Sequence, residues 1–289
     1  MKETLLLIIL IFANSINAQH PFELAVWSNK TLPNSNEISE KEIYNKNVKG
    51  FQNVTIAKLY VYLPQKPTLS PAVLICPGGG YTTVNLDNCH QFAKWIVNKG
   101  VAAIVLKYRT PNGHPEVPIS DAQEAFSIIY KHAKQWKINE SKIGVAGFSA
   151  GGHLASYLAT HFFDSIIRPA FAMQFFSVIN ANSDYAHKPS IENLLGNNPS
   201  KESLDFYSND IHISSYTPTT IIFCPSNDPI VNSLNSIDYC LKLKEHKVPV
   251  AMYLFPIKAH GDFMEETHPY NLVWEELLDK WMKTENLIN

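Results

Sequence analysis

The sequence predicts an α/β fold: a mostly parallel central sheet with helices on both faces. Three observations carry this. Apolar, β-rich runs recur along the chain and alternate with segments of helical periodicity. Two of the runs, Ala72-Val73-Leu74-Ile75 and Val101-Ala102-Ala103-Ile104-Val105-Leu106, are apolar at every position, as strands covered on both faces must be. Of the 289 residues, 45% are hydrophobic, which is enough for one sizeable core, and no break in composition divides the chain.

The chain opens with Met1-Lys2, an unbroken apolar run of nine from Leu5 to Ala13, and small and polar residues as far as Ala18. A basic start, a short apolar middle and a small residue before the cut form the pattern of a secretory signal. The run falls well short of the roughly 20 residues a transmembrane helix needs. Residues 1–18 are therefore read as a signal peptide cut after Ala18, and 19–289 as one domain that is secreted or periplasmic. No later segment reaches the length of a membrane span, so no stable membrane insertion is expected.

From Gln19 to about Gly50 the chain is polar and Asn-rich and is expected to wrap the domain surface. Strands are predicted at 54–63, 71–77, 101–107, 142–147, 171–178, 219–225 and 249–255. Helices are predicted at about 87–99, 119–136, 149–163, 233–247 and 269–284, the last with Leu272, Leu277, Leu278 and Trp281 on its apolar face. Between about 179 and 217 a long polar insert, broken by Pro189 and Pro199, departs from the rhythm. It follows a strand, so it is expected to reach over the carboxyl edge of the sheet, where α/β folds bind ligands.

Lys and Arg number 24 against 26 Asp and Glu, a net charge of −2 that lacks the basic surface a nucleic-acid partner requires. The four cysteines, Cys76, Cys89, Cys224 and Cys240, show neither metal-ligand spacing nor a disulfide pattern, and Cys76 and Cys224 end apolar runs as small core residues do. No metal or other cofactor is called for.

The chemistry-bearing motif is Gly147-Phe148-Ser149-Ala150-Gly151, a G-x-S-x-G pentapeptide. It follows the strand-like Ile143-Gly144-Val145-Ala146 and precedes the helix-like Gly152-His153-Leu154-Ala155-Ser156-Tyr157-Leu158. That strand–turn–helix setting belongs to the nucleophile elbow of the α/β-hydrolase fold. Neighbours without Cβ atoms let the strained turn present Oγ at a helix N-terminus, which favours developing negative charge. Serine needs a base oriented by a third group, in the chain order Ser, acid, His. Asp228 follows the strand at 219–225, and His260 follows the strand at 249–255, both at the predicted edge where Ser149 emerges. Asp262 is a rival acid, but it stands only two residues from His260 and is poorly placed to orient that ring. Pro77-Gly78-Gly79-Gly80-Tyr81 follows another strand and offers an oxyanion loop; the amide of Gly79 or Gly80, with that of Ala150, is the expected donor set. Position 83 is Thr, so the loop is not a dinucleotide fingerprint. His153 is expected to pack in the elbow helix. In the insert Tyr185, Phe206, Tyr207 and Tyr216 are candidates to stack on sugar rings, with core packing as the alternative.

These motifs, with Leu106-Lys107-Tyr108-Arg109, Asp121-Ala122-Gln123 and Asn193-Leu194-Leu195-Gly196, resemble the secreted bacterial α/β-hydrolases of the acetyl xylan esterase and feruloyl esterase type, the BD-FAE-like esterases. The resemblance runs from about Leu24 to Trp281. It implies a serine esterase with Ser149 as nucleophile, Asp228 as acid and His260 as base, acting on acetyl or feruloyl esters of sugars or polysaccharides such as xylan. Relatives of this type are also labelled xylanases, but glycoside cleavage generally needs paired carboxylates, and none pairs convincingly here. The expected partner is a small-molecule or carbohydrate ester, and oligomeric state is left open. Two alternatives stand: a serine peptidase of the prolyl-oligopeptidase type, and a carbohydrate-binding protein on a retired hydrolase scaffold.

Overall fold

The computed structural model describes residues 21–28, 31–65, 68–161 and 168–289. The signal-peptide reading of residues 1–18 lies outside these described residues. The first half contains β1 (Phe22–Ala25), β2 (Ile43–Asn45), β3 (Gly50–Gln52), β4 (Lys58–Tyr62), β5 (Ser70–Cys76), β6 (Thr83–Val84), α1 (Leu86–Asn98), β7 (Ala102–Lys107), α2 (Glu116–Trp136) and β8 (Ile138–Phe148). The second half contains α3 (Ala150–Thr160), β9 (Phe171–Phe175), α4 (Lys188–Leu195), α5 (Lys201–Phe206), β10 (Thr219–Pro225), α6 (Leu234–Glu245), β11 (Val250–Phe255) and α7 (Asn271–Thr284).

Eight strands form the main sheet in the order β1-β4-β7-β5-β8-β9-β10-β11. β7, β5, β8, β9, β10 and β11 are parallel, and β4 alone runs against its two neighbours. Every residue of β5, β7 and β9 is buried, including the polar Ser70, Lys107 and Gln174, and the apolar runs of β5 and β7 are covered on both faces. The alternation of strand and helix thus yields the predicted mostly parallel sheet, and the carboxyl ends of β5, β8, β9, β10 and β11 share one edge.

Three expectations need correction. The segment before Gly50 does more than wrap the surface. It supplies edge strand β1, and β2 and β3 join β6 in a separate three-stranded antiparallel sheet. These strands are short and mostly exposed, so no apolar run marked them. A buried polar knot anchors the segment: Arg109 pairs with Asp121 at 2.7 Å, and Trp27 Nε1 donates to the same carboxylate at 2.6 Å. Second, Leu272 is 75% exposed; the buried stripe of α7 is Trp274, Leu278, Trp281 and Met282, spaced for one helical face that Leu272 lies off. Third, the polar insert is not an open loop. It folds into α4, α5 and a 3₁₀ turn at Asn209–His212, and Ile191 of α4 packs in a small core with Val178, Ala181 and Val231.

All four cysteines are free, and Cys76, Cys89 and Cys224 are buried, which pushes their thiols up as it would for small core residues. Among the described residues no helix is long and apolar enough to cross a membrane.

Candidate active site

Ser149 links β8 to α3 with φ 53° and ψ −121°, a backbone conformation a side-chain-bearing residue adopts only where its surroundings force it. The turn closes tightly: a Cβ at Gly151 would stand 2.1 Å from the Cys76 carbonyl oxygen. Ser149 is also tied to the neighbouring strand, its N–H donating to the Phe175 carbonyl at 3.0 Å and its own carbonyl accepting from Val178 N–H at 3.0 Å.

The structure brings Ser149, His260 and Asp228 together. His260 Nε2 lies 3.0 Å from Ser149 Oγ, and His260 Nδ1 lies 2.7 Å from Asp228 Oδ2. A carboxylate only accepts, so Nδ1 carries the proton and Nε2 presents its lone pair to the serine hydroxyl. Asp228 Oδ1 accepts the N–H groups of Ile230 and Val231 at 2.8 and 3.0 Å, so both carboxylate oxygens are held in place. Ser226 and Asn227 donate their N–H groups to the carbonyls of Phe255 and Ile257, lacing the acid-bearing loop to the histidine-bearing one. Asp262 is excluded as the orienting acid by its contact: Oδ1 accepts the backbone N–H of His260 at 2.8 Å, which holds the loop and leaves the ring to Asp228. Phe176 lies edge-on to the imidazole, ring centroids 4.8 Å apart, with a φ of 39°. Sequence reasoning missed Phe176, since a phenylalanine ending a buried strand reads as core.

Gly79 and Gly80 line the same cavity as Ser149 and His260, while Ala150 is fully buried at the start of α3. Among the described residues the amides of Gly79, Gly80 and Ala150 donate to no backbone carbonyl. Gly79 has a φ of 125°, and a Cβ there would fall 2.3 Å from the Thr83 carbonyl oxygen.

The cavity measures about 510 Å³. It runs from Ser149 between α1 and α7, walled by Phe92, Trp95, Phe148 and Trp274. Trp95 and Trp274 sit 5.2 Å apart between centroids, and Phe92 and Phe148 5.3 Å. These walls were not foreseen. The one available signal was the i, i+3 pair Phe92 and Trp95 on the helix that follows the glycine loop. The insert aromatics proposed for sugar stacking lie elsewhere: the Tyr185 hydroxyl donates to Asp238, Phe206 and Tyr207 pack around Tyr157, and Tyr216 lies beneath Arg168. His187, also missed, lines the cavity with Nδ1 2.8 Å from Ser190 Oγ. Burial first, then the charge of His260, lowers its pKa, with Asp228 pulling the other way. Among the described residues no three His, Cys, Asp or Glu side chains gather as a metal ion would require.

His153 packs in the elbow helix as expected, within a buried tie. Nε2 faces the Tyr207 carbonyl at 2.8 Å and Nδ1 the Tyr81 hydroxyl at 2.9 Å. A carbonyl only accepts, so Nε2–H donates and Nδ1 accepts from the Tyr81 O–H. Burial pulls the His153 pKa down from 6.5 to about 4. The unfolded chain therefore binds a proton there that the folded chain refuses between those values. Stability is full above pH 6.5 and is lost as pH falls toward about 4, by up to about 3 kcal/mol from this residue. Urea titrations at neutral pH and near the lower value are expected to show that loss, and His153→Gln, which acquires no charge, is expected to lose less over the same interval. Equal losses would remove His153 as the cause.

Residues 59–243 match the BD-FAE family profile. The acetylxylan esterase of Xylanibacter ruminicola is 30% identical over 233 residues, covering 79% of this chain and 48% of that protein. Endo-1,4-beta-xylanase B of Butyrivibrio fibrisolvens is 32% identical over 221 residues, covering 71% of this chain and 34% of that protein. The chain thus spans about half or less of the length of these relatives. Among solved structures, the acetyl ester-xyloside bifunctional hydrolase from Caldicellulosiruptor lactoaceticus superposes with a TM-score of 0.79 at 29% identity, covering 95% of this chain and 100% of that one.

Proposed function

This chain belongs to the BD-FAE family, and on that premise we propose that it is a serine esterase that cleaves acetyl or feruloyl groups from sugars or polysaccharides such as xylan. The observation that carries the reading is the relay from Asp228 through His260 to Ser149, with contacts of 2.7 and 3.0 Å. Ser149 Oγ attacks the acyl carbonyl while His260 Nε2 takes its proton. Asp228 keeps the ring in the tautomer that accepts and stabilises the imidazolium that forms. The amides of Gly79 or Gly80 and Ala150 hold the oxyanion of the tetrahedral intermediate. His260 then protonates the departing sugar oxygen, leaving an acyl-enzyme. Water, deprotonated by the same imidazole, releases the acid and restores the serine.

The substrate assignment draws on the acetylxylan esterase relative and on the cavity. A volume of about 510 Å³ is much larger than an acetyl group, and the aromatic walls suit the flat faces of a sugar or a feruloyl ring. The basic start and apolar run at Leu5–Ala13 support a reading of export, in keeping with a polysaccharide substrate met outside the cell.

The test is to incubate the purified protein with acetylated xylan and with methyl ferulate, and to treat a parallel sample with a fluorophosphonate probe. Release of acetate or ferulate, together with probe mass on the peptide containing Ser149, is the expected result. No acid released and no label on Ser149 would overturn the reading.

A further inference from the structure

The loop from Pro77 to Tyr81 has an uneven distribution of partners. Each of its first four carbonyls is held. Pro77 accepts the Tyr108 hydroxyl at 2.8 Å, Gly78 accepts Asn85 N–H at 3.0 Å, and Gly79 accepts the N–H groups of Thr82 and Thr83 at 3.1 and 3.0 Å. The Gly80 carbonyl turns outward and accepts from Asn193 Nδ2, on α4 of the insert, at 2.8 Å. With the carbonyls pinned, the amides of Gly79 and Gly80 donate to no backbone carbonyl among the described residues, and both glycines line the cavity. This arrangement does not hold itself, since Gly79, Gly80 and Tyr81 are three consecutive residues with φ of 125°, 60° and 64°, and Tyr81 carries a side chain.

Besides Tyr108 at its first residue, two ties from outside the loop restrain its strained end. One is Asn193, whose own carbonyl accepts Gly113 N–H at 2.9 Å, so the side chain that grips Gly80 is anchored by its backbone to a second loop. The other is Tyr81, whose hydroxyl reaches His153 on the elbow helix, which in turn donates to Tyr207 of the insert. The nucleophile helix, the oxyanion loop and the insert are thus joined through two hydrogen-bonded paths.

We propose that the insert is a brace for the oxyanion loop, with Asn193 and His153 as positioning residues that fix the Gly79 and Gly80 amides relative to Ser149. The inference rests on the esterase reading. Binding of the ester in its ground state does not depend on these amides being placed to a fraction of an ångström, whereas stabilisation of the tetrahedral oxyanion does. Loosening the brace therefore lowers kcat and leaves KM nearly unchanged.

Asn193→Asp keeps the volume and replaces the donor with an acceptor facing the Gly80 carbonyl. With p-nitrophenyl acetate it is expected to lower kcat about tenfold or more, with KM within about twofold of wild type. Affinity for an alkylboronic acid, which forms a tetrahedral adduct with the serine, is expected to weaken by the same factor as kcat/KM. Tyr81→Phe removes a single oxygen, guards against a variant that fails to fold, and is expected to shift kcat in the same direction by a smaller factor. Unchanged kcat and boronate affinity in folded Asn193→Asp, or in Tyr81→Phe if the former does not fold, would overturn the brace and leave the esterase reading intact. A wild-type protein inert toward every ester would overturn both.

Discussion

Replacing Ser149 with alanine is expected to cut turnover of p-nitrophenyl acetate by on the order of 10⁵-fold while leaving the fold and substrate binding in place. The size follows from the role. The hydroxyl stands 3.0 Å from the only imidazole that touches it among the described residues, and no second nucleophile shares that contact. Removing it abolishes the acyl-enzyme route, and what remains is whatever acceleration the cavity and the oxyanion amides give to direct attack by water. Alanine keeps the backbone ties to Phe175 and Val178, and it relieves nothing at φ 53°, so the thermal midpoint should stay close to that of the wild type. Measured together, steady-state turnover and a melting curve separate loss of chemistry from loss of structure. A folded Ser149→Ala protein that hydrolyses the ester at the wild-type rate would refute the mechanism.

The second large effect is expected at Asp228. Asp228→Asn preserves shape and can preserve the bonds from Ile230 and Val231 through its amide oxygen. Its amide nitrogen then faces His260 Nδ1 as a donor. The ring must answer by accepting at Nδ1 and carrying its proton on Nε2, where it donates to Ser149 Oγ and can no longer remove the hydroxyl proton. A loss of about 10³–10⁴-fold in kcat is expected, with little change in KM. Asp262→Asn is the internal control. Its carboxylate touches the backbone N–H of His260 and not the ring, and an amide oxygen can still accept that bond. It is expected to lose far less. If Asp262→Asn were as damaging as Asp228→Asn, the assignment of the orienting acid would have to be reversed.

The contrast between the two aspartates shows where sequence reasoning reached its limit. Proximity in the chain argued against Asp262, but the deciding fact is a hydrogen-bond partner, which only coordinates supply. The same holds for the cavity. Phe92, Trp95, Phe148 and Trp274 come from three segments, and as isolated letters each is an ordinary core residue. The insert aromatics Tyr185, Phe206, Tyr207 and Tyr216 left two readings open in the sequence, stacking on sugar rings and core packing. None of them lines the cavity; they contact Asp238, Tyr157 and Arg168 instead, and Phe206 and Tyr216 stay exposed. Asn193 was visible only as one letter of a short motif, and its grip on Gly80 spans 113 residues.

By itself the sequence determined the alternation of strands and helices, the strained turn at Ser149 and the chain order of serine, acid and histidine. The first two are written in near neighbours, as the period of apolar residues and glycines flanking a single position, and the third in the order along the chain. Tertiary structure alone decided that β4 runs antiparallel, that Asp228 and not Asp262 meets the imidazole, that α1 and α7 enclose an aromatic cavity, and that the insert reaches the site through His187 on the cavity wall and Asn193 on the Gly80 carbonyl. Those outcomes depend on strand order and on hydrogen bonds between residues far apart in the chain, and local periodicity carries no record of either.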